Sequence, residues 1–132
     1  MTTSYRTIVG TVGTGIWISD DGGERWTRCR GMWNETQVFA LTAHPQNPQV
    51  VFAGAHDGIY RSDDGGVTFE SIASPLSGKA IWSVAFDPVQ PDTLFAGART
   101  GAIFRSRDGG QTWEQLNATL PTSAPTCAFP AC

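Results

Sequence analysis

The sequence has 132 residues, a formal net charge of −3, 40% apolar residues and 16% charged ones, the size and balance of one soluble globular domain. Its nine Lys and Arg are scattered, so no clustered basic surface offers itself to nucleic acid. No run of about 18 apolar residues is available to span a membrane.

The opening "MTTSYRTIVG" has no apolar stretch after a basic one, so a signal peptide is not expected, and a cytoplasmic location is. "YRTIVGTV" (5–12) then reads as a strand. "GIWISDDGGERW" (15–26) combines a strand with a tight turn, because Asp and Gly accept the backbone angles of a hairpin. "VFALTA" (38–43) alternates β-favouring residues, and Pro45 and Pro48 forbid its continuation. "VVFAGA" (50–55) and "GIYRS" (58–62) are two further strands. "DDGG" (63–66) is a second tight turn, and "VTFESI" (67–72) is expected to be a fourth strand. No stretch carries helical periodicity over about 11 residues. The fold class is all-β.

The chain repeats itself. "GIWISDDGGERW", "GIYRSDDGGVTF" (58–69) and "GAIFRSRDGGQTW" (101–113) are copies of one unit, and Gly15, Gly58 and Gly101 recur at about 43 residues. "VFALTAHPQNPQVVFAGAHDG" (38–58) superposes without a gap on "IWSVAFDPVQPDTLFAGARTG" (81–101). Four antiparallel strands in about 40–45 residues, repeated, is the arithmetic of β-propeller blades. The expected organisation is a first partial blade with strands two to four at 1–36, a second blade at 37–79, a third at 80–116 and an irregular tail at 117–132. The first unit lacks its first strand, and about 4–8 blades normally close a ring, so the propeller is incomplete, with roughly three blades. Either the chain is an N-terminal fragment of a longer propeller, the favoured reading, or copies associate through open blade faces.

The repeated phrase resembles the Asp-box, or BNR repeat, S-x-D-x-G-x-T-W. Its positions are Ser19, Asp21, Gly23 and Trp26; Ser62, Asp64, Gly66, Thr68 and Phe69; and Ser106, Asp108, Gly110, Thr112 and Trp113. Arg25 stands where the family prefers Thr, and Phe69 where it prefers Trp. The fuller pattern is similar to BNR-like repeats of sialidase-like, xyloglucanase-type and photosystem II assembly factor-type propellers. The resemblance covers about residues 5–116. It implies a fold shared by enzymes, assembly factors and sorting receptors, and it does not select among them.

Elementary chemistry explains the box as a corner. A short carboxylate accepts hydrogen bonds from the N–H groups of its own turn, Ser makes a similar local bond, Gly permits φ > 0, and the terminal aromatic packs beneath the turn or on the next blade. A calcium loop would need oxygen ligands at alternating positions over about 12 residues with a closing Glu, which is missing. A catalytic carboxylate pair occurs once, in a cleft, and not three times in a repeat. Zinc would want four ligands. The odd set of Cys29, Cys127 and Cys132 and the two histidines, His44 and His56, do not supply them, so no metal or cofactor is expected.

With the boxes on one rim, the loops between strands two and three and between blades fall on the other, where binding residues on rigid scaffolds gather. That rim carries Gly13-Thr14, His56-Asp57, Arg99-Thr100, "RCRGMWNET" (28–36) and "SPLSGK" (74–79). Trp33, Glu35, His56, Asp57 and Arg99 are the candidate ligand contacts, suited to a carbohydrate stacking on Trp33, or otherwise solvated loop residues. The residues that the resemblance would require for a sialidase are missing: Arg6 lacks the Ile-Pro of the family motif, and neither Tyr5 nor Tyr60 has a recognisable Glu partner. The preferred function is a non-catalytic interaction or assembly scaffold with a protein or carbohydrate partner. The alternatives are part of a glycosidase of the BNR type, whose catalytic residues are missing from this chain, or a carbohydrate-binding propeller.

Overall fold

The structure, a computed structural model, describes residues 5–99 and 101–116. Thr100 and the expected tail at 117–132, with Cys127 and Cys132, lie outside the described residues. The described chain is all strand, turn and loop. In order it forms β1 (Thr7–Gly10), β2 (Ile16–Ser19), β3 (Thr27–Arg28), β4 (Val38–Ala43), β5 (Val51–Ala55), β6 (Gly58–Ser62), β7 (Glu70–Ser71), β8 (Ile81–Phe86), β9 (Leu94–Ala98), β10 (Ala102–Ser106) and β11 (Glu114–Gln115). These pair into three antiparallel sheets, β1-β2-β3, β4-β5-β6-β7 and β8-β9-β10-β11, each in chain order. The first sheet lacks the strand that β4 and β8 supply to the others. Three such sheets make an incomplete propeller.

Registers make the blades superposable residue by residue. Ile8 lies opposite Ile18, Phe52 opposite Arg61 and Phe95 opposite Arg105. Because side chains alternate across a strand, each sheet has two faces with separate partners. Val51, Ala53, Tyr60 and Phe69 turn back and bury with Ile16, Cys29 and Val38 between the first two sheets. Phe52 and Ile59 turn forward and bury with Ile81, Ala96, Phe104 and Trp113 between the second and third. The core is two inter-blade layers. Close approach at the inner strands explains Gly10 and Gly54, where a Cβ would stand 2.7 Å from Val38 and 2.8 Å from Ile81. At the inner edge, the rings of Phe39 and Trp82 stack at 4.0 Å.

The fourth strand of the second blade is shorter than "VTFESI" suggests, with ladder pairing only at Glu70–Ser71. The residues before it are engaged elsewhere. Thr68 N–H is held by Asp64, 2.8 Å, while Val67 O accepts from Arg30 N–H and Phe69 N–H donates to Arg30 O in the preceding blade. The box turn thus competes with the ladder and joins two blades.

Candidate functional site

The three Asp-boxes fold into the same corner. Ser19, Ser62 and Ser106 are buried, each about 1% exposed. Each hydroxyl donates to the aspartate two residues on, at 2.9, 2.7 and 2.8 Å. Each also accepts a backbone N–H from Gly23, Gly66 or Gly110 at 2.8 Å. The aspartates accept from the backbone N–H of Arg25, Thr68 and Thr112. These bonds hold the carboxyls of Asp21 and Asp64 below the usual range, led in both by the backbone donor four residues on. In Asp108 the Thr112 hydroxyl adds the largest effect and brings the value to about 2. Arg25 cannot supply that hydroxyl in the first copy. A carboxylate saturated by its own turn is a fastener, with no proton to trade near neutral pH.

The box aromatics divide by position. Phe69 is fully buried and Trp113 nearly so, whereas Trp26 is 41% exposed. Both indoles donate to the box carbonyl, Trp26 to Gly23 and Trp113 to Gly110, at 3.0 Å. Trp26 stays open because no described sheet covers that face of the first one.

The opposite rim gathers most of the other candidates. Trp33, Glu35, His56 and Asp57, together with Thr36 and Gln37, line one groove of about 450 Å³. Backbone bonds build it. Thr36 N–H donates to Trp33 O, folding the loop, and Thr36 O accepts from Gly15 N–H at 3.1 Å. His56 N–H donates to Gln37 O, and Gln37 N–H returns to His56 Nδ1 at 3.2 Å, which leaves Nε2 as the proton-bearing nitrogen of the neutral ring. The Tyr60 hydroxyl donates to Asp57 Oδ2 at 2.9 Å. Burial, followed by that bond and the Asp57 charge, pushes the Tyr60 phenol up to about 12. Gly78 N–H donates to Asp57 O, so the 74–79 connection lies on this rim as well. Arg28 braces the loop through Thr14 O and Asn34 O.

Arg99 is not among the residues lining the groove. Its N–H donates to Ala80 O as His56 N–H does to Gln37 O, so it occupies the same station one blade further on. Thr36 is the residue that sequence reasoning passed over. It is 0% exposed, and its Oγ1 has no hydrogen-bond partner among the described residues. Trp33, by contrast, is 80% exposed. An open aromatic face, two carboxylates, an imidazole and an unsatisfied hydroxyl share one concavity with no Lys or Arg in its lining.

A larger hollow of about 860 Å³ opens on the Asp-box rim, lined by Arg6, Ile8, Leu41, Asp64 and Gly65 among others. Its lining comes from the first and second blades. No group of three or more metal-ligating side chains occurs among the described residues.

Solved structures share this architecture. An ancestral GH74 enzyme matches with a TM-score of 0.73 and 24% identity over 83% of this chain and 16% of its own. YCF48 bound to a D1 peptide matches with 0.66 and 15% identity over 86% and 38%. The GH74 xyloglucanase from Xanthomonas campestris matches with 0.67 and 21% identity over 86% and 19%. This chain therefore spans from 16% to 38% of the length of these structures. No curated protein matches it. The family model for sortilin, neurotensin receptor 3, matches residues 57–131, which take in the second Asp-box, its rim loop and the whole third blade. The chain is a propeller module that belongs to the Sortilin-Vps10 family.

Proposed function

We propose that the module is a non-catalytic interaction scaffold that holds an extended, cationic segment of a protein partner in the rim groove. One observation carries this reading: the 80% exposed Trp33 and the buried Thr36 hydroxyl, which has no partner among the described residues, line the same groove. A buried hydroxyl without a bond costs about 1–3 kcal/mol, and a ligand donor or acceptor seated there removes that cost. Glu35 and Asp57 give the groove a negative lining, which favours Lys or Arg side chains. A peptide in the YCF48 structure lends support to a protein partner at the level of the fold. The saturated Asp-box carboxylates offer no competing chemistry.

A second reading has its own motive. An exposed indole beside two carboxylates also suits a sugar ring, and the GH74 neighbours keep a carbohydrate in view. Titration calorimetry separates the two. The preferred reading expects Lys- and Arg-containing extended peptides to bind, with affinity lost in Trp33→Ala and reduced by salt. Binding of neutral β-linked oligosaccharides with no peptide binding would favour the second, and their hydrolysis would overturn the non-catalytic assignment.

A further inference from the structure

The inter-blade contact is built twice to one plan, with the arginine drawn from a different station each time (Arg6 before β1, Arg61 in β6), and no described blade covers its two halves where they recur in the third and first blades. In each blade an arginine is anchored to a carboxylate of its own sheet or corner: Arg6 to Asp20 at 2.7 Å, Arg61 to Asp63 at 2.8 Å and Arg105 to Glu114 at 2.6 Å. The first two reach across to the Asp-box of the following blade. Arg6 Nη1 donates to Gly65 O at 3.3 Å, and Arg61 Nη1 to Gly109 O at 2.8 Å. Beside each lies an apolar side chain over the next glycine. A Cβ on Gly66 would meet Ile8 at 2.9 Å, and one on Gly110 would meet Phe52 at 2.5 Å. Arginine plus apolar knob form a socket, and the Gly-Gly corner with its aromatic is the plug.

Among the described residues nothing fills the socket of the third blade, where Phe95 and Arg105 are half-buried. Phe95 stands at the Phe52 station and Arg105 opposite it in register. Together with Asp92 and Arg107 they line a groove of about 510 Å³. The first blade presents the plug uncovered. Gly22 and Gly23 are exposed, where Gly65, Gly66 and Gly110 are buried. Val9 and Trp26 are 40% and 41% exposed at the stations where Ala53 and Phe69 are fully buried. Alternation and hydrogen-bond polarity match, because one end offers guanidinium donors and the other the Gly22 carbonyl.

We propose that two copies of this chain join head to tail, the first-blade Asp-box corner of each seated in the Phe95–Arg105 socket of the other. Two such contacts close a two-fold ring of about six blades, within the usual range of about 4–8. The occupant is a second copy because the contact continues an interface the chain already makes twice with itself. Gly97 takes no part, since the first sheet has no inner strand to set against it. The surface lies on the Asp-box rim and is independent of the groove at Trp33.

Analytical ultracentrifugation of the 132-residue chain tests this. The expected species has twice the 14.2 kDa chain mass. Arg105→Glu breaks the socket and Trp26→Asp the plug, both on exposed or half-exposed faces, and circular dichroism checks that each keeps its β signal. Each variant alone should dimerise at least about tenfold more weakly, because both contacts of its ring are damaged. Mixed in equal amounts they should regain dimer, since the mixed ring has one intact contact. A wild-type monomer, a dimer indifferent to both substitutions, open-ended oligomers, or a mixture no tighter than its parts would each overturn the proposal.

Discussion

The guanidinium of Arg61 donates to the carbonyl of Gly109 at 2.8 Å, across 48 residues of sequence and from one blade to the next. The same side chain lies over Phe52, 5.5 Å from the ring centre, and is anchored by Asp63. A carbonyl in a turn has no ladder partner, so this bond completes the corner of the third blade from the second. The blades are therefore coupled at the box, where the second and third corners are each finished by the preceding blade.

Arg61→Ala should destabilise the chain by about 1–3 kcal/mol, from a lost charge-assisted bond and a cation–π contact. Urea unfolding measures it. Lys79→Ala, at an exposed residue outside the inter-blade contact, should change stability by less than about 0.5 kcal/mol.

Two glycines with positive φ should respond differently to alanine. At Gly78 (φ +80°) an added Cβ would have nothing within 4 Å, whereas at Gly110 (φ +89°) it would face the fully buried Phe52 at 2.5 Å. Gly78→Ala should cost about 1–2 kcal/mol for backbone strain alone. Gly110→Ala should cost about 1–3 kcal/mol more, because the close-packed ring has to move. Paired thermal melts would show the difference, and equal losses would mean that the blades are not packed this closely.

Acid should loosen the corners. The Asp108 carboxyl is held at about 2, below its ordinary 3.8, chiefly by the Thr112 hydroxyl and then by Thr112 N–H. A group whose folded pKa is lowered contributes stability above its unfolded value and loses it as pH falls through the folded one. The melting temperature should thus decline between about pH 4 and pH 2, with Asp21 and Asp64 contributing in the same direction. In Asp108→Asn that acid limb should be shallower.

Thr36→Val should leave stability unchanged or raise it by about 1–3 kcal/mol, because it removes a buried hydroxyl that has no bond. Partner affinity should nevertheless fall. A stabilised protein that binds less well would mark Thr36 as a binding residue, while lost stability would mean the hydroxyl has a structural bond.

The repeat made the fold legible. Alternation in "VFALTA" and "IWSVAF", the Pro pairs and three Ser-x-Asp-x-Gly corners were enough to locate strands, turns and rims. Loop differences between matched copies mark the rim candidates, and Trp33, Glu35, His56 and Asp57 meet in one groove. Arg99 does not join them, because a blade's rotation separates equivalent stations, which linear comparison treats alike. The burial of Thr36 has no sequence signature, since it depends on the Trp33 turn and on a bond to Gly15 from another segment. The role of Arg61 was hidden for the same reason: an Arg before a box serine looks like a solvated strand residue until the neighbouring blade is in place.

If the Asp-box rim fastens and the opposite rim binds, the five tryptophans report on that division directly. In nitrogen-15 NMR spectra, titration with Lys- and Arg-containing extended peptides should shift the Trp33 indole N–H signal. Trp26 and Trp113, bonded to their own box carbonyls, should hold still. Shifts confined to Trp26 or Trp113, with Trp33 unmoved, would contradict that division of roles.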